Sequence, residues 1–202
     1  MWAGLFNNLA LNFNNLIIPI VFSTTILGYF ALVYRVLVLP FTLVSESLGQ
    51  VFFKEASELK NQQKDVSKVI WKIASKMGII SVLGFGTLFF IVEFLFVFIF
   101  GEEWRIAGQY AKYLIPMFMI RFIVSPLTLM HSVFEAHKLS LFLQFLMFLI
   151  SIISMYIAYI LELDFKQFLL IFSTLMVSFY LLRFIVIIKI AKNHYKKKLE
   201  EE

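Results

Sequence analysis

The residues with the most chemistry to account for are three arginines, Arg35, Arg121 and Arg183, because each falls inside an apolar run long enough to cross a bilayer. Even on a lenient insertion scale, such a charge at a helix centre costs about 2.5–3.5 kcal/mol, so it needs a partner, water or an interface. At about 100° per residue, Gly28, Arg35, Thr42, Glu46 and Gly49 share one helical stripe, and Tyr110, Arg121, Ser125, Thr128 and Ser132 share another. Two helices would each present a hydrophilic face with a deep arginine, as a water-filled cavity between helices requires. The alternative is an arginine paired with a carboxylate purely to fix packing. Arg183 lies close enough to the next basic cluster for its long side chain to reach the interface, and is expected to be an anchor.

Other polar groups carry weaker signals. Asn8, Asn12 and Asn15 fall at i, i+4 and i+7, with Asn7 and Asn14 alongside; they fit interhelical hydrogen bonds or sugar hydroxyls equally. With the two stripes they give a candidate substrate-binding set of Arg35, Arg121, Asn8, Asn12, Asn15, Thr42, Glu46, Ser125 and Thr128. Glu93 is a candidate coupling carboxylate or a side chain snorkelling to the interface. His131 and Glu135 stand one turn apart, and a surface ion pair is preferred over a metal site because no further His or Asp cluster completes one. Gly84-Phe85-Gly86 lacks the strand and helix of a nucleotide loop and is read as small residues for helix packing. No Ser/His/Asp arrangement is present and cysteine is absent, so neither an enzyme nor a bound cofactor or metal is expected.

The elements that must position these residues are helices in lipid. Of 202 residues, 61% are hydrophobic, and the mean hydropathy is +0.88; soluble domains hold about 45–50% apolar residues. The runs predict an all-α polytopic membrane protein, a six-transmembrane-helix bundle spanning about 4–23, 28–53, 73–100, 110–134, 139–161 and 167–191, followed by a polar tail over 192–202. The opening Met1-Trp2-Ala3-Gly4-Leu5 has no basic n-region, so the first segment is read as a retained helix. Lys54 to Lys68 reads as helical extensions meeting in water. Pro19, Pro40, Pro116 and Pro126 each remove a backbone donor and can kink a helix.

Basic residues set the expected orientation. Twelve of the 18 Lys and Arg fall on one side of the spans, whereas the other side holds only Arg105, Lys112 and Lys166. The positive-inside rule places the first side, and both termini, in the cytoplasm. Trp104 and Tyr110 suit an outer interfacial belt. The net charge of +5 follows from that asymmetry, and no nucleic-acid partner is expected.

Several phrases then stand in a recognisable order: Gly28-Tyr29-Phe30-Ala31-Leu32-Val33-Tyr34-Arg35-Val36-Leu37-Val38-Leu39-Pro40, Gly49-Gln50-Val51-Phe52-Phe53, Phe98-Ile99-Phe100-Gly101-Glu102-Glu103-Trp104, Ala107-Gly108-Gln109-Tyr110 and Phe122-Ile123-Val124-Ser125-Pro126-Leu127. Together they resemble the C-terminal half of O-antigen-type polysaccharide flippases of the multidrug/oligosaccharidyl-lipid/polysaccharide exporter superfamily. The resemblance implies translocation of an undecaprenyl-pyrophosphate-linked oligosaccharide across the bacterial cytoplasmic membrane. It also implies two six-helix lobes around a cationic cavity, so a second lobe chain or a homodimer is expected as partner, beside lipid-linked glycan and membrane lipids. Arg35 and Arg121 would line that cavity, their planar donors suiting a pyrophosphate. The alternatives are a truncated or split-gene interaction protein that does not transport, and a drug-exporter lobe of the same superfamily. A lipid-modifying enzyme is disfavoured for want of a nucleophile and base.

Overall fold

Strong stop and start signals divide the chain into helices. The computed structural model describes residues 13–62 and 64–199, without the side chains of residues 40, 41, 43–47, 194 and 196–199. Within that range every regular element is helical, as the apolar runs predict. α1 is seen over residues 13–21. α2 (Thr24–Asn61) starts at Ser23, whose hydroxyl accepts a hydrogen bond from the Ile26 amide at 3.1 Å and so satisfies one of the orphan donors of the first turn. It then runs unbroken through the charged stretch, well past the expected end near residue 53. α3 (Ser67–Phe100) begins where the Asp65 carboxylate accepts from the Ser67 amide at 2.8 Å. It stops at Gly101, whose φ of +99° is a conformation glycine tolerates and other residues avoid.

The expected fourth span is not one helix. α4 (Arg105–Val124) ends at Ser125, a 3-10 turn follows over Pro126–Leu129, and α5 (Met130–Val133) completes the segment, which bends by 41°. Pro126 has no N–H to give the Phe122 carbonyl, and its ring crowds the preceding turn, so it favours a break here. The predicted stripe from Tyr110 to Ser132 is therefore interrupted. α6 (His137–Ile160) is followed by α7 (Phe165–Leu199). α7 opens with a reciprocal cap, since Asp164 Oδ1 accepts from the Gln167 amide at 2.8 Å and Gln167 Oε1 from the Asp164 amide at 3.0 Å. It stays helical to Leu199, beyond the expected boundary at 191, with no glycine or proline to stop it.

α4 is the axis of the bundle, packed against α2, α3 and α7, with α6 laid on α7. Phe118, Leu114 and Ile115 on α4 are fully buried, and the Ser81 hydroxyl of α3 donates to the Met119 carbonyl at 2.8 Å. At the Trp104 end, an aromatic cluster joins the loops: Tyr110 to Phe165 at 4.8 Å, Phe22 to Phe165 at 5.1 Å and Tyr29 to Trp104 at 5.6 Å. Tyr110, expected at the interfacial belt, is instead buried in this cluster. Gly84 and Gly86, expected to mediate close packing, face open space: a Cβ at either position would meet nothing within 4 Å.

The outer faces are those of a protein solvated by hydrocarbon. Only 17% of the most apolar stretch of α3 is buried, and Phe90 is 80% exposed, an arrangement that water would penalise and lipid favours. Three helices, Ser67–Phe100, His137–Ile160 and Phe165–Asn193, are long and apolar enough to cross a membrane. The bent pair Glu102–Val124 and Pro126–Val133 makes a fourth if taken as one span, and Thr24–Leu39 is a shorter apolar stretch. The chain is thus a helical membrane bundle with three to four such spans among the described residues.

Candidate functional site

The interior of the bundle encloses arginine side chains from α4 and α7. Arg121, near the end of α4, donates from Nη1 to the Tyr34 hydroxyl of α2 at 2.7 Å, and its guanidinium lies 5.8 Å from the Tyr34 ring centroid and 5.5 Å from that of Phe118. Aromatic faces carry negative quadrupole density, so this box stabilises a fixed cation away from water. Tyr180 of α7 also lies in its electrostatic range. Around them is a cavity of ≈ 30 Å³ lined by Asn14, Tyr34, Arg121, Ser151 and Tyr180 among others, large and polar enough for a water molecule. The Asn14 Oδ1 is buried there without a partner among the described groups.

Arg183 belongs to the same interior. Expected as an interfacial anchor, it has a buried Nε with no hydrogen-bond partner among the described residues and lies within electrostatic range of Tyr180, Arg121 and His131. The physical reason is helical spacing: Tyr180 and Arg183 stand at i and i+3 on one face of α7, turned toward α4. His131 is 2% exposed and does not form the expected surface pair with Glu135. Glu135 is instead 3.6 Å from Lys60 of α2, which also donates to the Val133 carbonyl at 2.7 Å.

The structure separates the two arginines that the sequence grouped. Tyr34 and Arg35 are consecutive, so they point to different sides of α2: Tyr34 turns in to Arg121 and Arg35 turns out, exposed beside Gly28 and Ala31. Thr42 lies further along α2, its hydroxyl donating to the Leu39 carbonyl at 3.0 Å. Thr128 likewise donates to the Ser125 carbonyl at 2.7 Å, capping the broken turn. In α1 it is Asn14 that is buried and Asn15 that is exposed. Asn8, Asn12 and the Glu46 side chain lie outside the described residues.

Glu93 occupies a second polar feature, toward the Trp104 end. Its Oε1 is 2.8 Å from Lys112 Nζ of α4. The pair is set by Gly108, one turn before Lys112, where an added Cβ would lie 2.7 Å from Glu93 Cα. Sequence reasoning missed Gly108, although its Ala-Gly-Gln-Tyr context was visible; a glycine inside a helix signals a packing contact only when the facing helix is known.

Similarity to known families decides the matter at the family level. The polysaccharide biosynthesis protein family matches residues 1–108, more than half of the 202 residues. The chain belongs to this family. The matched stretch contains Arg35, Glu93 and Gly108, whereas Arg121 and Arg183 lie beyond it. No curated protein and no solved structure gives a significant match. Family membership and the lipid-facing helices together make this a membrane protein with a role in polysaccharide synthesis or export.

Proposed function

We propose that the chain is one lobe of a transporter, not an enzyme, that moves an undecaprenyl-pyrophosphate-linked oligosaccharide across the bacterial cytoplasmic membrane. In this reading it has six spans, both termini in the cytoplasm, and a second lobe chain or a second copy of itself as partner. The observation that carries it is the exposure of Arg35. Eleven residues after the start of α2, it stands about 17 Å along the helix axis at 1.5 Å per residue, close to mid-depth in a hydrocarbon core of about 30 Å. Thr24, Thr25, Gly28 and Ala31 are exposed with it. Lipid tails offer such a face no hydrogen-bond partner, so a partner lobe or a hydrated passage must cover it. An anionic pyrophosphate moving along that passage would meet a planar, permanently charged donor. Arg121, enclosed by Tyr34 and Phe118, supports the wall from behind.

The test is surface-polysaccharide display in cells lacking their own flippase and supplied with this chain and its partner lobe, normalised to protein in the membrane. Arg35→Ala is expected to abolish display while the protein inserts normally, since removing a deep charge lowers the insertion cost. Arg35→Lys should restore it in part, because the charge returns without the fork. Normal display by Arg35→Ala would refute the reading.

A further inference from the structure

The Glu93–Lys112 pair opens onto a groove of ≈ 740 Å³ between α3, α4 and α7. Its polar wall includes Lys112, Lys166, Gln109 and Thr174, and its apolar wall includes Phe89 and Leu170. Depth, charge and the character of its flank define what this groove can hold.

Glu93 is seven residues from the end of α3 at Phe100, about 10 Å along the axis, which is deeper than the headgroup layer of roughly 5–8 Å per leaflet. The two side chains remain 28% and 34% exposed. A partly exposed ion pair at that level cannot face alkyl chains without a large penalty, so polar matter must fill the groove. Pro116, also in the wall, adds to this by leaving the Lys112 carbonyl without its helical donor.

Two lysines face one glutamate, leaving an excess positive charge, and Lys166 sits at the mouth on the first turn of α7 while Lys112 sits at the floor. On the flank, Phe89 is 37% exposed and Leu170 55% exposed, on helix faces that otherwise contact hydrocarbon. The groove is therefore polar at its floor and continuous with lipid at its side, the profile of a site for an amphiphile rather than a soluble ligand.

We propose that this groove binds the phosphodiester headgroup of an anionic membrane lipid, with Lys112 and Lys166 contacting the phosphate and Glu93 offsetting part of the Lys112 charge. The acyl chains would lie along Phe89 and Leu170. The site is independent of the transport reading, since it involves neither Arg35 nor Arg121.

Native mass spectrometry of the purified full-length chain, titrated with phosphatidylglycerol or phosphatidylethanolamine, tests it. Phosphatidylglycerol is expected to bind more tightly. Lys166→Gln, an exposed change that leaves the Glu93 pair intact, should weaken phosphatidylglycerol about fivefold, the effect of one lysine on an anionic lipid, and leave phosphatidylethanolamine unchanged. Glu93→Gln should strengthen phosphatidylglycerol by a similar factor, because it frees Lys112 and adds a net positive charge; a purely structural carboxylate would not shift lipid selectivity. If Lys112→Gln fails to fold, Lys166→Gln still carries the test. The proposal is overturned if Lys192→Gln at the opposite basic end has the same effect as Lys166→Gln, or if Glu93→Gln weakens phosphatidylethanolamine, which would mark a zwitterion site. It is also overturned if millimolar inorganic phosphate displaces the lipid, which would mark a free-anion site.

Discussion

Gly108 of α4 lies so close to Glu93 of α3 that a methyl group at 108 would come within 2.7 Å of the Glu93 Cα and 3.3 Å of the Phe96 Cβ. The nearer atom is backbone, so the contact cannot be relieved by a rotamer change. Gly108→Ala is expected to force the helices apart and destabilise the protein by about 1–3 kcal/mol, against the gain of up to about 1 kcal/mol that alanine brings to an ordinary helix site. Thermal unfolding in detergent reads the sign directly; an unchanged or raised midpoint would contradict the close approach.

Tyr34 and Arg121 tie α2 to α4 inside the bundle through a hydrogen bond of 2.7 Å. A hydrogen bond to a charged group contributes about 1.5–3 kcal/mol, so Tyr34→Phe should lower stability by roughly that amount. A double-mutant cycle with Arg121→Met should give a coupling of about 1–3 kcal/mol. Additive losses would mean that the two side chains do not act together.

Glu162 adopts a φ of +48° between α6 and α7, a left-handed conformation that costs a residue with a side chain about 1–2 kcal/mol. Glu162→Gly should raise the unfolding midpoint. Glu135, at +56°, should gain less from the same change, because the substitution also deletes its contact with Lys60. Equal gains at both positions would show that the Lys60 contact contributes nothing.

Glu102 and Arg105 form an exposed pair at 2.7 Å beside the Trp104 turn. The Arg105 hydrogen bond holds the Glu102 carboxyl below its usual value of 4.5, outweighing the opposing effect of desolvation. A carboxyl whose folded pKa is depressed contributes stability above its unfolded pKa and loses it as pH falls through the folded value. The contribution is therefore complete above about pH 5 and fades below about 4.5, and it is weakened by salt. The carboxyl carbon resonance of Glu102 should titrate with a midpoint below 4.5 and move up in Arg105→Gln; an unchanged midpoint would dismiss the pair.

Topology is open to a chemical test because the chain has no cysteine. Single cysteines at Lys60, ahead of α3, and at Glu103, just past its end, should react from opposite faces of the membrane with an impermeant reagent, Lys60→Cys from the cytoplasm. Labelling of both from one face would reject the proposed orientation.

Much of this protein was legible in its sequence because lipid imposes a simple rule: backbone groups must be satisfied within each segment, so long apolar runs become helices and glycine, proline and capping residues mark their ends. The helical class and the turn at Gly101 follow from that rule and those end signals. Which way each polar side chain faces does not, because two residues adjacent in sequence point about 100° apart and only the neighbouring helix decides which is inside. Tertiary packing turned Tyr34 inward and Arg35 outward, buried Asn14 in preference to Asn15, and drew Arg183 in toward Tyr180. It also turned Gly108 from an ordinary helical glycine into the contact that brings Lys112 to Glu93. The sequence determined that buried charges exist; the approach of helices distant along the chain determined which of them meet.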